Sequence, residues 1–416
     1  MLEQILERSN LLRAWKRVRS NGGAGGVDGI GIDDFPAWLR RHWPRIKASI
    51  LDGSYRPRPV RRHEIPKRSG GKRKLGIPTL IDRVIQQAIL QILQPIVDPD
   101  FSESSYGFRP GRSAHQAVRR VRAILNEGYT WVVDLDLEKF FDRVNHDVLM
   151  CRVSRKVSDK RVLRLIGGYL RAGVQVDGAI RPTTEGVPQG GPLSPVLTNI
   201  LLDDLDKELE SRGHRFVRYA DDFVILVKSK RAARRAGRGI VRFLRDRLKL
   251  EINRQKSRIV AGRGCEFLGF TFPGGRIVWS AQSLENFKYQ VRRLTSRSWG
   301  ISMQARLEKL SRYIRGWMNY FALSQYYRVL PELDEWIRRR VRMCYVKQWR
   351  RPRTRTGHLL RLGVAKRQAI ALGMSSKGPW RLARTYATQL GMSNQWLSEQ
   401  GLVSVRQLWI GFHYHK

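Results

Sequence analysis

Asp221 and Asp222 are neighbours, flanked by two runs that read as strands, Arg215–Tyr219 and residues 223–227. The second run is continuously apolar and rich in β-branched residues, the pattern of a buried strand. A short turn between two paired strands puts both carboxylates at one end of a hairpin. Like charges held that close repel and lose hydration unless a divalent cation stands between them. Mg2+ takes carboxylate oxygens together with the oxygens of a phosphorylated substrate. The chemistry such a turn can do is metal-assisted phosphoryl transfer. An isolated Asp-Asp pair reads more readily as an exposed turn, where Asp is simply a good turn residue, and it is the rest of the chain that reverses that reading.

Several segments qualify as partners. In Trp131-Val132-Val133-Asp134-Leu135-Asp136-Leu137-Glu138 an apolar strand runs into acidic residues. A carboxylate there meets the Asp221-Asp222 turn if the two strands are neighbours in one sheet. Asp134 and Asp136 point to the same face of an extended chain, so spacing alone leaves both open. Residues 64–78 form two extended arms around Gly70-Gly71, a hairpin loaded with Lys and Arg. Lys67 and Arg73, on opposite arms, could reach one triphosphate; a solvated basic hairpin is the plainer alternative. Residues 105–113 interleave Tyr106, Phe108, Arg109 and Arg112 with turn residues, which suits stacking on bases and gripping phosphate or, as readily, core aromatics beside a loop. Residues 21–29 hold five glycines, a loop that can approach a phosphate backbone closely or serve as a plain linker.

The elements that must position these groups follow from periodicity. Helices are expected near the N-terminus, where Leu2, Ile5, Leu6 and Leu12 share a face, and over residues 35–51, 79–96, 115–125, 195–210 and 232–248. The helix at 195–210 opens from the Gly/Pro turn 186–195. Strands are expected at 250–257 and 265–272. From about residue 276 the pattern turns helical, with Leu307, Leu310, Ile314, Trp317 and Phe321 on one helix. A second, over 333–349, carries Arg338, Arg339, Arg340 and Arg342 as a basic face.

Composition names the partner. The 416 residues hold 79 Lys and Arg against 36 Asp and Glu, a formal charge of +43. A fold that cationic repels itself, and a polyanion relieves the repulsion; with a mean hydropathy of −0.43 that polyanion is nucleic acid. Twelve Trp and thirteen Tyr argue for folded domains, not a disordered basic tail. Cys151, Cys265 and Cys344 are isolated, which supports neither a disulfide framework nor a zinc site. No apolar run approaches the roughly 18 residues that span a membrane, and residues 1–12 carry charges throughout, unlike a signal peptide. A reducing, cytoplasmic setting without membrane contact is expected.

These motifs, in this order, resemble the reverse transcriptases encoded by group II introns, over about residues 20–350. The resemblance implies an α+β right-hand polymerase. Its parts would be an N-terminal extension (1–62), fingers and palm with an antiparallel sheet on helices (63–275), a helical thumb or maturase region (276–350) and a basic DNA-binding tail (351–416). It places Lys67 and Arg73 at the nucleotide-triphosphate positions, although this chain has Lys74 where the family often has Pro. It selects Asp136 over Asp134 as the first metal-binding Asp, because Phe141 follows five positions later as the gate against the ribose 2′-hydroxyl. Tyr219-Ala220-Asp221-Asp222 matches the family's Tyr-x-Asp-Asp signature, and Asp136, Leu137, Asp221 and Asp222 become the metal set. Gln189 and Lys256 join the nucleotide contacts, with Lys256 near a motif whose Lys protonates pyrophosphate. Gly25, Gly26, Arg109, Gly190, Tyr219, Leu268 and Gly269 become template or primer contacts.

The expected activity is RNA-directed DNA synthesis from a primer with dNTPs and two Mg2+ ions, about 3.5–4 Å apart in such sites. The expected partners are an RNA template, intron RNA, and a DNA primer or target. A splicing cofactor that binds intron RNA, and a domesticated relative in DNA repair or phage defence, are the competing readings. The chain ends without the paired cysteines of the family's His-Asn-His nuclease, so no endonuclease is expected.

Overall fold

Leu80, Val84, Ile85, Ala88, Ile89 and Leu93 recur at helical spacing, and in the computed structural model, which describes residues 1–66 and 71–414, they are the buried face of the helix Leu80–Val97. Thr79 starts it by accepting a hydrogen bond from the Asp82 backbone N–H. The chain forms two compact units, Met1–Gly262 and Arg263–Lys416.

The first unit begins with α1 (Leu2–Ile5), α2 (Arg8–Ser20) and α3 (Phe35–Leu51). The hairpin β1 (Val60–Pro66) and β2 (Lys72–Ile77) precedes α4 (Leu80–Val97) and α5 (Ala114–Asn126). Then come β3 (Trp131–Leu135), α6 (Phe140–Arg143), α7 (His146–Ser154) and α8 (Lys160–Leu170). The short strands β4 (Val174–Val176) and β5 (Ala179–Arg181) lead to α9 (Ser194–Ser211). The unit closes with β6 (Arg215–Tyr219), β7 (Asp222–Val227), α10 (Lys230–Phe243) and β8 (Arg258–Ala261).

Two sheets result. One has the order β2-β1-β4-β5 and carries the basic hairpin, with β1 and β2 antiparallel from Arg61↔Ile77 to Pro66↔Lys72. The other has the order β6-β7-β3-β8, antiparallel throughout. Its centre is β7, buried from Phe223 to Val227. Val133, Leu135, Phe216, Phe223 and Ile225 from this sheet share one core with Leu197, Leu201 and Leu205 of α9 and Ala233 and Ile240 of α10.

Three local expectations change. The N-terminal helix breaks after Ile5, so Leu2, Ile5 and Leu6 are buried while Leu12 turns outward. The strand expected at 250–257 lies instead at Arg258–Ala261, because the preceding stretch bridges the chain beyond β3, Leu137 opposite Ile252. The strand expected at 265–272 is a tight hairpin in the second unit, β9 (Glu266–Phe267) and β10 (Phe270–Thr271), since Leu268 and Gly269 both take positive φ.

In the second unit β11 (Val278–Trp279) completes a sheet of order β11-β10-β9. The helices α11 (Ala281–Leu294), α12 (Met303–Phe321) and α13 (Val329–Gln348) follow, with Trp317 packed against Trp279, Phe287 and Phe321. Short helices gather around a further core that includes Leu359, Leu372, Leu382 and Met392. The arginines of α13 hold this unit together more than they face water. Arg342 is buried and donates to the Met392 carbonyl and Asn394 Oδ1, and burial pulls its guanidinium down to about 10. Arg339 stacks 3.8 Å over Trp380. Among the described residues no helix is long and apolar enough to cross a membrane.

Candidate active site

The β6–β7 hairpin turns through Ala220 and Asp221, with Tyr219 paired to Asp222. Ala220 sits at φ 59°, a left-handed conformation that L-residues with a Cβ adopt only under constraint. On the other side of β7, Leu135 of β3 pairs with Phe223. The antiparallel register therefore carries the next residue, Asp136, toward Asp222 at the same end of the sheet. Asp134 lies within β3, and its carboxylate accepts from Arg258 Nε at 3.0 Å. Of the two residues that spacing left open, Asp136 is the one at the strand end.

Asp136 is held from both sides. Its N–H donates to Ser257 Oγ at 3.1 Å, and its carbonyl accepts the Asn253 N–H at 2.7 Å. Lys256 Nζ stands 3.6 Å from its carboxylate. Burial raises the Asp221 carboxyl above its usual range, and the charge of Asp136 adds to that rise. The Asp221 backbone hydrogen bond and the positive charges of Arg73 and Arg218 oppose it. Among the described residues no three His, Cys, Asp or Glu side chains stand together as a ready metal cage. Besides burial, the charge of Asp136 helps to raise the Asp221 carboxyl, and carboxylates under that repulsion fit a divalent cation. Leu137 offers only its backbone carbonyl; its side chain is buried.

Beneath the turn lies a network that sequence reasoning missed. Arg218, fully buried, donates from Nε to Asp206 Oδ1 at 2.7 Å, from Nη1 to Asn199 Oδ1 at 2.9 Å, and from Nη1 to the Ala220 carbonyl at 3.0 Å. Burial raises the Asp206 carboxyl, against the pull of Arg218. Asn199 Nδ2 in turn donates to the Gly107 carbonyl at 2.8 Å. Residues 104–106 run alongside β6, with the Tyr106 N–H on the Arg218 carbonyl and the Arg218 N–H on the Ser104 carbonyl. A Cβ on Gly107 would stand 2.3 Å from the Ala220 nitrogen. The signal was an Arg that follows the apolar pair Phe216-Val217 inside β6, next to the turn.

Arg109 also differs from expectation. It is buried, and its five N–H donors reach the Asp98 carboxylate and carbonyl and the carbonyls of Ser102 and Ser105. None is left for a phosphate, so Arg109 shapes the segment that supports the turn. Gly25 and Gly26 make their close approach to protein: a Cβ on Gly26 would meet Thr79 Cα at 2.6 Å.

The other expected residues fall as follows. Arg73 lies exposed on β2 opposite Ile65; Lys67 lies outside the described residues. The Gln189 carbonyl accepts the Gly76 N–H at 2.8 Å, and Gly190, at φ 126°, would clash with the Gly76 carbonyl if it had a Cβ. That seats the 188–190 loop on β2. The Phe141 carbonyl accepts the Val187 N–H at 2.7 Å, and its ring meets Phe140 edge-on. The Tyr219 ring lies 6.3 Å from that of Phe108. In the second unit, the Leu268 carbonyl accepts from Tyr320 Oη at 2.9 Å and the Gly269 carbonyl from Ser283 Oγ at 3.0 Å.

Known proteins share this arrangement of motifs. Residues 65–272 match the family described as reverse transcriptase (RNA-dependent DNA polymerase). Residues 284–363 match the group II intron, maturase-specific domain. Protein YkfC of Escherichia coli (strain K12) is 36% identical over 318 residues, 67% of this chain and 82% of that protein. Group II intron-encoded protein LtrA of Lactococcus lactis subsp. cremoris is 31% identical over 323 residues. That match takes in 62% of this chain and 54% of LtrA, so the chain spans about half of that relative. Among solved structures, a partial Cas6-RT-Cas1--Cas2 complex is 26% identical over 58% of this chain and 42% of that chain, with a TM-score of 0.36.

Proposed function

The chain belongs to the group II intron-encoded reverse transcriptase and maturase family, and on that premise we propose that Asp136, Asp221 and Asp222 form its polymerase centre. The single observation that carries this is the register of β3 on β7, which brings Asp136 to the end of the sheet where the Asp221–Asp222 turn lies. Those carboxylates, with the Leu137 carbonyl, would hold two Mg2+ ions, which when bound activate the primer 3′-hydroxyl and offset charge on the triphosphate.

The remaining roles belong to the protein. Arg73, on the hairpin seated beside Gln189, offsets phosphate charge. Lys256, whose Nζ stands 3.6 Å from the Asp136 carboxylate, would give a proton to departing pyrophosphate. Template copying comes from base pairing, so the protein reads backbone and shape. The maturase-specific match favours intron RNA as the second partner over repair or phage defence. A cytoplasmic site of action is part of the proposal.

The test is primer extension by the purified chain on an RNA template with an annealed DNA primer, dNTPs and Mg2+. Template-dependent extension is expected, and its absence sinks the proposal. Two substitutions probe the geometry. Phe141→Ala removes the ring proposed as the gate against the ribose 2′-hydroxyl and is expected to cost up to about a hundredfold in dNTP-over-rNTP discrimination. Parallel single-nucleotide incorporation rates measure it; an unchanged ratio removes Phe141 from the gate. Gly107→Ala pushes a methyl into the Ala220 backbone and is expected to slow extension about a hundredfold, since a displacement near 1 Å at a reacting centre costs that much. Single-turnover rates at saturating primer-template decide it, and a rate within twofold of the parent refutes it.

A further inference from the structure

Helix α10 carries a second charged surface that the polymerase centre does not use. Ala233, Ala236, Gly237 and Ile240 face the sheet, with Gly237 close enough that a Cβ would meet Val133 Cγ1 at 3.3 Å. Lys230, Arg231, Arg234, Arg235, Arg238 and Arg242 are exposed, and the helix has no acidic residue. None of these six cations pairs with a carboxylate among the described residues. Like charges three and four positions apart on a helix repel, so the face weakens its own helix.

The contrast with α13 is informative. There the arginines are consumed by internal contacts, to Trp380, Thr295, Met392 and Asn394. On α10 Lys230 lies 5.5 Å over the Trp131 ring, and the five arginines have no such contact among the described residues. The field also reaches β6: His214 is pushed down by burial and then by Arg212 and Arg235. A membrane is a poor match, because the apolar side of the helix is turned into the core and nothing apolar faces out. The primer-template is a poor match too. β7 leaves the catalytic turn at Asp222 and ends at Val227, about 16 Å away at strand rise. α10 begins beyond that far end, so Arg231, Arg234 and Arg235 lie on the half of the helix nearest it, and Arg238 lies just past the helix midpoint. The face lacks the Asn, Gln and aromatic side chains that read bases, which leaves the phosphate backbone as its target.

We propose that the outward face of α10 is a docking surface for the backbone of a folded RNA duplex, bound at the same time as the primer-template. The choice of RNA rests on the maturase reading above. At about 1.5 Å per residue the helix presents its cations, Lys230 to Arg242, over about 18 Å, a length that lies along a phosphate backbone.

The test is the variant Arg231→Gln, Arg234→Gln, Arg235→Gln, Arg238→Gln, which leaves every core-facing residue in place. The probe is a labelled RNA hairpin of about 16 base pairs, titrated by fluorescence anisotropy with primer-template saturating. Roughly tenfold or greater weakening is expected at physiological salt, with the slope of log affinity on log salt reduced by about three to four. Primer extension should stay within twofold of the parent, and the melting temperature unchanged. Asp221→Ala, Asp222→Ala with α10 intact should bind the hairpin as the parent does. The proposal is overturned by unchanged hairpin affinity and slope. It is overturned equally by extension falling in step with binding, or by a DNA duplex of equal length losing as much affinity as the RNA. An inactive parent that still shows the α10 effect would count against the polymerase centre and not against this surface.

Discussion

The double variant Asp221→Ala, Asp222→Ala is expected to lose at least about a thousandfold in primer extension while remaining folded. Removing a single preorganised charge-stabilising group costs 10²–10³ in rate, and here two of the proposed metal ligands go together. Folding should not suffer. Asp222 is exposed, and Asp221 is a partly buried acid whose charge is opposed first by burial and then by Asp136. An acid held above its usual pKa contributes a cost when ionised, so its removal leaves stability equal or slightly higher at neutral pH. Single-turnover extension and thermal melting, measured on the same preparation, check both halves. Extension within tenfold of the parent would remove these carboxylates from the chemistry. Lost activity with a lowered melting temperature would mean that the turn supports the fold.

The second large effect concerns Arg218. Arg218→Ala leaves Asp206 buried and unpaired, which costs about 3–5 kcal/mol. For a unit of this size that lowers the melting temperature by roughly 6–20 °C. A second variant separates structure from function. Replacing the pair together, Arg218→Met with Asp206→Leu, removes both charges and should recover most of the stability, because a well-packed apolar pair is often no worse than a buried ion pair. Extension should stay low in that double variant, because the Ala220 carbonyl has lost its donor and the left-handed residue its restraint. Recovery of both melting temperature and extension would make the network purely structural.

The strands at the centre were readable because their signal is local. The apolar run of β7 and the run of β3 into Asp136 each lie within a few residues, and an acidic turn between strands reports its own chemistry. The resemblance to a known family, through Phe141 five positions on, then selected Asp136 over Asp134. What periodicity could not carry was pairing between distant segments. Nothing near residue 258 says that β8 will flank β3, or that Asn253 and Ser257 will hold the Asp136 backbone. Arginine was misleading for a related reason. In a chain this basic every Arg invites a phosphate, yet Arg109 and Arg218 point inward and bind backbone carbonyls and buried acids. Only burial distinguishes such residues from the outward set on α10.

The clamp on Asp136 has a consequence for biosynthesis. The groups that grip its main chain, Asn253 and Ser257, come after both acidic residues of the turn, and β8 follows them at the very end of the first unit. A nascent chain leaves the ribosome from its N-terminus, so every carboxylate of the centre emerges before the cradle that aligns them. The main chain of Asp136 is therefore held from both sides only once residues through Ser257, near the end of the first unit, are available.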